Sequence, residues 1–167
     1  MLGYPGSGKT STAKIIASLV GAELIWEDLE RKKQFPNLTF SEDENNNLHN
    51  SLNLLTEELL KTGKSVVYDT SFNRYIDRRR MYDIAAKSGS DTVLVWVQTD
   101  TDVARVRATQ NARSQPTRPL ATVLGDMDGQ TFDRLVSKLE PPIENEQFVT
   151  MDGTKIADGY VRQILGL

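Results

Sequence analysis

Residues 3–10 read GYPGSGKT and satisfy the pattern G-x-x-x-x-G-K-[ST]; no other feature restricts the fold of this chain as tightly. The pattern has a physical cause. Glycines at Gly3, Gly6 and Gly8 let the backbone curl so that successive N–H groups point inward at the oxygens of a phosphate chain. A helix must follow directly, because its positive dipole end completes the anion site. Residues 11–20 (STAKIIASLV) supply an amphipathic helix that stops at Gly21. Gly3, Tyr4, Pro5, Gly6, Ser7, Gly8, Lys9, Thr10 and Ser11 are therefore the expected nucleotide cradle. Lys9 is placed to reach the β- and γ-phosphates, and the Thr10 hydroxyl to ligate Mg²⁺.

Such a loop ordinarily follows a buried strand, yet only Met1 and Leu2 precede Gly3. The first strand is thus expected to be truncated or very short, with a few more apolar residues upstream in the natural protein. A missing central strand would leave backbone groups on its neighbours unpaired.

The chain has 167 residues, 26% charged and 38% apolar, which suits one soluble domain over 1–167 with a real core. Its net charge of −3 argues against a general nucleic-acid or membrane-surface binder and leaves room for a local basic site. With no cysteine there are no disulfides, no thiolate chemistry and no cysteine-based zinc site. His49 is the single histidine and lies in a polar stretch (NNNLHN), where it reads as a solvated loop or helix-start residue. No apolar run reaches membrane-spanning length and no signal peptide is visible, so a cytoplasmic location is expected.

Apolar periodicity then sets the order of elements. Residues 23–26 (ELIW) read as a strand and 27–35 as a helical or irregular segment. Residues 41–47 (SEDENNN) read as a polar loop, with a helix from about 48 to 61. Residues 64–68 (KSVVY) and 92–97 (TVLVWV) read as strands around a helix at 75–88. A helix from about 101 fails near 114–119, where two prolines fall close together. Residues 129–140 read as helix, 148–151 as strand and 155–165 as helix. Strands separated by helix-length crossovers imply a parallel sheet covered on both faces, a three-layer α/β sandwich of the P-loop type. In open parallel sheets ligands sit at the carboxyl ends of the strands.

Asp28 and Arg31 follow the ELIW strand as D-x-x-R. A carboxylate there suits a general base for an attacking hydroxyl, with Arg31 holding the acceptor or orienting the base; a surface i,i+3 ion pair is the other reading. Asp69 ends the VVYD strand, the position from which a carboxylate holds Mg²⁺ or its water shell. Thr70, Ser71 and Asn73 lie on the same rim, to touch substrate or to cap the next helix. Solvation accounts for most of Arg74, Arg78, Arg79 and Arg80. Trp26 and Trp96 read as core.

Residues 103–120 carry Arg105, Arg107, Arg113 and Arg118 and no acid, in a net-acidic chain. This marks a lid at about 105–127. Arginines closing over a transferring phosphate offset its charge and exclude water. Arg113 and Arg118 fall in the flap proper, while Arg105 and Arg107 sit on the helix in structural positions.

Taken together, GYPGSGKT, the D-x-x-R pair, VVYDTSFNR at 66–74 and QNAR at 110–113 resemble the polynucleotide-kinase and zeta-toxin-like branch of P-loop kinases, often described as AAA-type ATP-binding proteins. The motifs occur in the family's order over most of the chain. The resemblance implies a general-base role for Asp28, acceptor or base binding by Arg31, and contact of Arg113 with the transferring phosphate. Gln110 stands where a first lid arginine would be, and Arg118 is its possible substitute. No phosphatase or second nucleic-acid-binding domain is expected within these 167 residues.

The expectation is an ATP- and Mg²⁺-dependent kinase acting on a hydroxyl. Lys9, Thr10 and the loop amides hold ATP-Mg²⁺, Asp69 supports the metal, Asp28 takes the proton, and Arg113 and Arg118 close over the transition state. Thr70, Asn73 and Arg31 would touch the acceptor. That acceptor is a small molecule, a nucleotide or a nucleic-acid 5′-hydroxyl, the acidic balance favouring a small molecule. The alternative is an ATP-binding or ATP-hydrolysing switch without a phosphoacceptor. Oligomeric state is left open.

Overall fold

The computed structural model describes residues 1–114, 124 and 126–167. Four strands and seven helices alternate along the described chain: α1 (Lys9–Val20), β1 (Glu23–Trp26), α2 (Glu27–Gln34), α3 (Glu42–Lys61), β2 (Val66–Asp69), α4 (Tyr75–Lys87), β3 (Leu94–Gln98), α5 (Thr101–Ser114), α6 (Gly129–Val136), β4 (Phe148–Asp152) and α7 (Asp158–Leu165).

Strand β1 pairs in parallel with β2, and β3 with β4. The first two residues join these halves. The Leu2 N–H donates to the Val95 carbonyl at 2.8 Å, and the Leu2 carbonyl accepts from Val97 N–H at 2.8 Å, a parallel bridge centred on Trp96. On the other side the Met1 carbonyl accepts from Phe72 N–H at 3.1 Å, just past β2. Met1 and Leu2 therefore stand in the place of the first strand, expected to be truncated or very short, between β2 and β3, and satisfy backbone groups on both flanks.

The pleat sorts the strand side chains between two helical layers. Leu24 and Val67 join Ala13, Ile16, Val95, Val97, Met151 and Val161 under α1 and α7. Ile25, Val66 and Tyr68 face the other way, against Leu48 and Leu52 of α3. This is the expected parallel sheet with helices on both faces.

Two sequence readings need correction. Residues 41–47 are not a loop: Glu42 onward is already α3. The Ser41 hydroxyl caps it by accepting from Glu44 N–H, and Glu42, Asp43 and Glu44 lie in the first turn, where carboxylates complement the dipole. The polar run hid this start because it carries no apolar periodicity. Second, Arg78 is not solvated. It is 1% exposed, with Nε 2.6 Å and Nη2 2.9 Å from the two Glu146 oxygens, and it also donates to the Phe72 and Glu140 carbonyls. His49, read as a solvated loop or helix-start residue, is exposed on α3, with Nε2 3.4 Å from Glu27 Oε1. Helices α6 and α7 are also shorter than the sequence reading. A turn built on the Asp152 carboxylate, which accepts from Thr154 N–H and Oγ1, delays α7 to Asp158.

Candidate active site

The phosphate loop and the two candidate acids follow or end strand positions. Gly3 follows Leu2, Asp28 follows β1, and Asp69 ends β2. The loop at 3–8 is shaped by glycine. Gly6 has φ 76° and Gly8 φ 107°, both left-handed, and a Cβ on Gly6 would lie 2.2 Å from the Ala104 carbonyl of α5. The loop is braced from outside. Asn73 Oδ1 accepts from Gly3 N–H at 3.3 Å, and the Thr99 hydroxyl donates to the Ser7 carbonyl at 2.9 Å. Asn73 thus fastens the start of the loop. Ser11 lies exposed on the first turn of α1.

Lys9 bends back over the loop and donates to the Gly3 carbonyl at 3.0 Å and the Tyr4 carbonyl at 2.8 Å. Burial pulls its pKa down to about 8, against the opposing charges of Asp69, Asp28 and Glu27. Asp69 is 4% exposed. Burial raises its pKa, while a hydrogen bond with Thr10 and the charge of Lys9 act the other way. Its Oδ2 has no hydrogen-bond partner. A buried carboxylate oxygen left unsatisfied beside the Thr10 hydroxyl is the donor set that Mg²⁺ takes from a protein. That ion keeps waters and substrate phosphates for its remaining positions. Among the described residues no group of three or more His, Cys, Asp or Glu side chains could hold a metal ion by itself.

Asp28 lies in the first turn of α2. Burial raises its pKa to about 6, helped by the Glu27 and Asp69 charges and opposed by Lys9 and Arg31. The structure thus brings Lys9, Thr10, Asp28 and Asp69 into one electrostatic neighbourhood.

Arg31 pairs with two other acids. Its Nη1 donates to Glu44 Oε1 at 2.7 Å and its Nη2 to Glu27 Oε1 at 2.9 Å. Thr70 donates to the second Glu27 oxygen, and Glu44 Oε2 accepts from Thr39 N–H, Thr39 Oγ1 and Phe40 N–H. A chain of buried or half-buried polar groups therefore runs from the 39–40 turn through Arg31 to the residue after Asp69. Burial disfavours the charged form of Glu27, but hydrogen bonds from His49 and Arg31 prevail and hold its pKa below the usual range. Sequence reasoning missed Glu27 and Glu44. Nothing in E-D-L-E-R tells which acid turns inward, and Glu44 lay in the presumed loop.

On the far side of the loop, Arg107 Nη1 donates to the Gly153 carbonyl at 3.1 Å, and Arg105 pairs with Asp133. Both arginines hold structure, as expected. Gly153, just after β4, was also missed: a Cβ there would lie 1.9 Å from the Ser7 carbonyl. Its one sequence signal is a glycine directly following a strand-end Asp. The segment expected to form the lid begins as α5. The side chain of Arg113, and Arg118 altogether, lie outside the described residues.

A family model described as AAA domain matches residues 1–142. None of the curated proteins matches the sequence significantly. Among solved structures, a kinase-like protein from Chloroflexus aurantiacus j-10-fl superposes with a TM-score of 0.75 at 18% identity, over 99% of this chain and 94% of that one. A gluconokinase from Sinorhizobium meliloti 1021 does so with a TM-score of 0.66 at 20% identity, over 99% and 87%. The APS kinase CysC of Mycobacterium tuberculosis, solved with AMPPNP and APS, gives 0.66 at 17% identity, over 99% and 92%.

Proposed function

Because this chain belongs to the AAA-domain family, we propose that it is an ATP- and Mg²⁺-dependent phosphotransferase that moves the γ-phosphoryl group to a hydroxyl acceptor. The observation that supports this reading is Asp28: a carboxylate in the first turn of α2, raised to about 6 by burial and acted on by the charges of Glu27, Asp69 and Lys9. At neutral pH such a group is mostly ionised yet basic enough to take a proton.

Each residue has a role. The amides and side chains of residues 3–11 cradle the triphosphate. On nucleotide binding Lys9 exchanges its two loop carbonyls for phosphate oxygens. Thr10 and Asp69 would hold Mg²⁺, which supplies charge neutralisation to the transferring group. Asp28 accepts the acceptor's hydroxyl proton as its oxygen bonds to the γ-phosphorus and the bond to the β-phosphate oxygen breaks. Arg113 and Arg118 close over the equatorial oxygens. Arg31 orders the acceptor side through Glu27, Thr70 borders it, and Asn73 sets the loop.

The kinase neighbours support nucleotide-dependent phosphotransfer in general. The polynucleotide-kinase and zeta-toxin-like branch is our assignment from the motif set. Among the described residues no helix is long and apolar enough to cross a membrane, and an ATP donor fits a cytoplasmic site of action. The test is Asp28→Asn in a γ-phosphate transfer assay. Turnover should fall about 100-fold or more while ATP affinity stays within about threefold. Undiminished turnover would remove Asp28 as the base.

A further inference from the structure

Asp28 and Asp69 belong to neighbouring strand ends. Strands β1 and β2 run parallel, and their ladder closes at Trp26 opposite Asp69. Beyond that pair the backbones part. Strand β1 passes straight into α2 at Glu27, while β2 gives way to the connection leading to α4. Asp69 is thus the last residue inside the ladder on one strand, and Asp28 lies past it on the other. The ladder stops short of Asp28, so its place against Asp69 depends on contacts made beyond the ladder.

Side chains continue the pairing there. Glu27 and Thr70 each come directly after the Trp26–Asp69 pair, and the Thr70 hydroxyl donates to Glu27 Oε2. The other Glu27 oxygen accepts from Arg31 Nη2 at 2.9 Å, one turn on along α2, and Arg31 Nη1 donates to Glu44 Oε1 of α3 at 2.7 Å. Glu44 Oε2 accepts in turn from Thr39 N–H at 2.6 Å and Phe40 N–H at 3.1 Å. Glu27 is therefore held on both oxygens, from α3 and from the end of β2. The Arg31 and Glu44 side chains are 5% and 4% exposed, too deep for a solvated surface pair. A Thr hydroxyl has one proton to donate, and Glu27 takes it, so Thr70 has none left for an acceptor molecule.

Resting on the phosphotransfer reading, we propose that Thr70 and Glu27 are positioning residues, whose bond latches the first turn of α2 to the end of β2 and so holds Asp28 in place against Asp69 and the phosphate loop. Thr70 acts through Glu27 and not as a contact of the acceptor. Buried ionic groups carry a desolvation cost that apolar side chains of similar size would avoid, so packing does not account for this set; a fixed position does. A displacement of about 1 Å at a reacting group costs on the order of 100-fold in rate, which is what the latch guards against.

The experiment measures transfer from γ-labelled ATP-Mg²⁺ by the full chain to whichever of glucose, adenosine or a 5′-hydroxyl oligonucleotide takes the label. Thr70→Val keeps the shape and removes the hydroxyl. It should lower kcat about tenfold or more, while acceptor KM, and ATP affinity by titration calorimetry, stay within about threefold. Thr70→Ser restores the donor and should recover kcat to within about threefold of the parent. In an Asp28→Asn background no base is left to position, so Thr70→Val should cost less than about twofold more. Glu27→Asp keeps the charge but draws the carboxylate back by one methylene. It should reproduce the kcat loss, which keeps the test decisive if Thr70→Val does not fold. A raised acceptor KM at parental kcat would make Thr70 an acceptor contact and overturn the proposal. Unchanged kcat in folded Thr70→Val or Glu27→Asp would also overturn it, as would an undiminished loss in the Asp28→Asn background, the mark of a merely structural role. Each of these leaves phosphotransfer standing. Free phosphate from the parent without any labelled acceptor overturns the phosphotransfer reading itself, and the latch with it.

Discussion

Arg78 and Glu146, 68 residues apart, meet at two points inside the protein, and Tyr82 Oη and the Ile143 N–H donate to the same carboxylate at 2.6 and 2.9 Å. The cluster ties α4 to the segment before β4. Burial alone would raise the Glu146 pKa; the hydrogen bonds from Arg78 and Tyr82 outweigh it and hold the group to about 2. Removing one partner leaves a buried charge uncompensated. Arg78→Ala or Glu146→Ala should therefore cost about 3 kcal/mol or more, read by urea denaturation. Because the folded pKa is depressed, this contribution is present above the ordinary carboxylate pKa and is lost as pH falls toward 2. Loss of less than about 1 kcal/mol would contradict the buried pairing.

Asp28 has the opposite sign. Its folded pKa of about 6 exceeds the ordinary value of 3.8, so the folded state holds a proton that the unfolded chain releases. The group's contribution is greatest below about pH 4 and is lost as pH climbs through 6, leaving a carboxylate that destabilises the neutral-pH protein. Asp28→Asn should raise the melting temperature by the equivalent of about 1–2 kcal/mol while it lowers turnover. A lower melting temperature at pH 7.5 would mean that the ionised carboxylate is structurally satisfied.

The same pKa sets the acid limb of the reaction. A general base must be ionised, so kcat/KM should fall about tenfold per pH unit below about 6. Glu27→Gln removes a neighbouring negative charge, so the limb should move to lower pH. An unmoved limb would show that another group titrates there.

Gly153 is held against the phosphate loop, with space for no side chain between the Ser7 carbonyl and the Thr99 hydroxyl. Gly153→Ala should push the loop after β4 away, at a cost of about 1–3 kcal/mol, and weaken ATP binding measured by titration calorimetry. Unchanged stability and affinity would mean that this approach is looser than the backbone spacing indicates.

The parts of the fold legible in sequence were those written in short-range signals. The Gly3-to-Thr10 motif, the β-branched runs around Val66 and Leu94, and the acids at strand ends placed the loop, the strands and Asp28 and Asp69 at their C-terminal ends without the structure. The run at 41–47 misled because capping by Ser41 and dipole complementation by Glu42 to Glu44 replace apolar periodicity as the helix signal. The partners of Arg31 and Arg78 were invisible for a different reason. Glu44 and Glu146 lie 13 and 68 residues away, and only chain topology brings them in. Arg31, read as a group that binds the acceptor or orients the base, is paired with Glu27 and Glu44.

The central claim is phosphoryl transfer with Asp28 as base, and the most direct measurement compares the parent chain, Lys9→Ala and Asp28→Asn in one γ-labelled ATP transfer assay over sugars, nucleosides and 5′-hydroxyl oligonucleotides as acceptors. The account predicts label on an acceptor with the parent chain, none with Lys9→Ala, and about 100-fold less with Asp28→Asn at near-parent ATP affinity. Phosphate released to water by the parent with no labelled acceptor, or full transfer by Asp28→Asn, would contradict it.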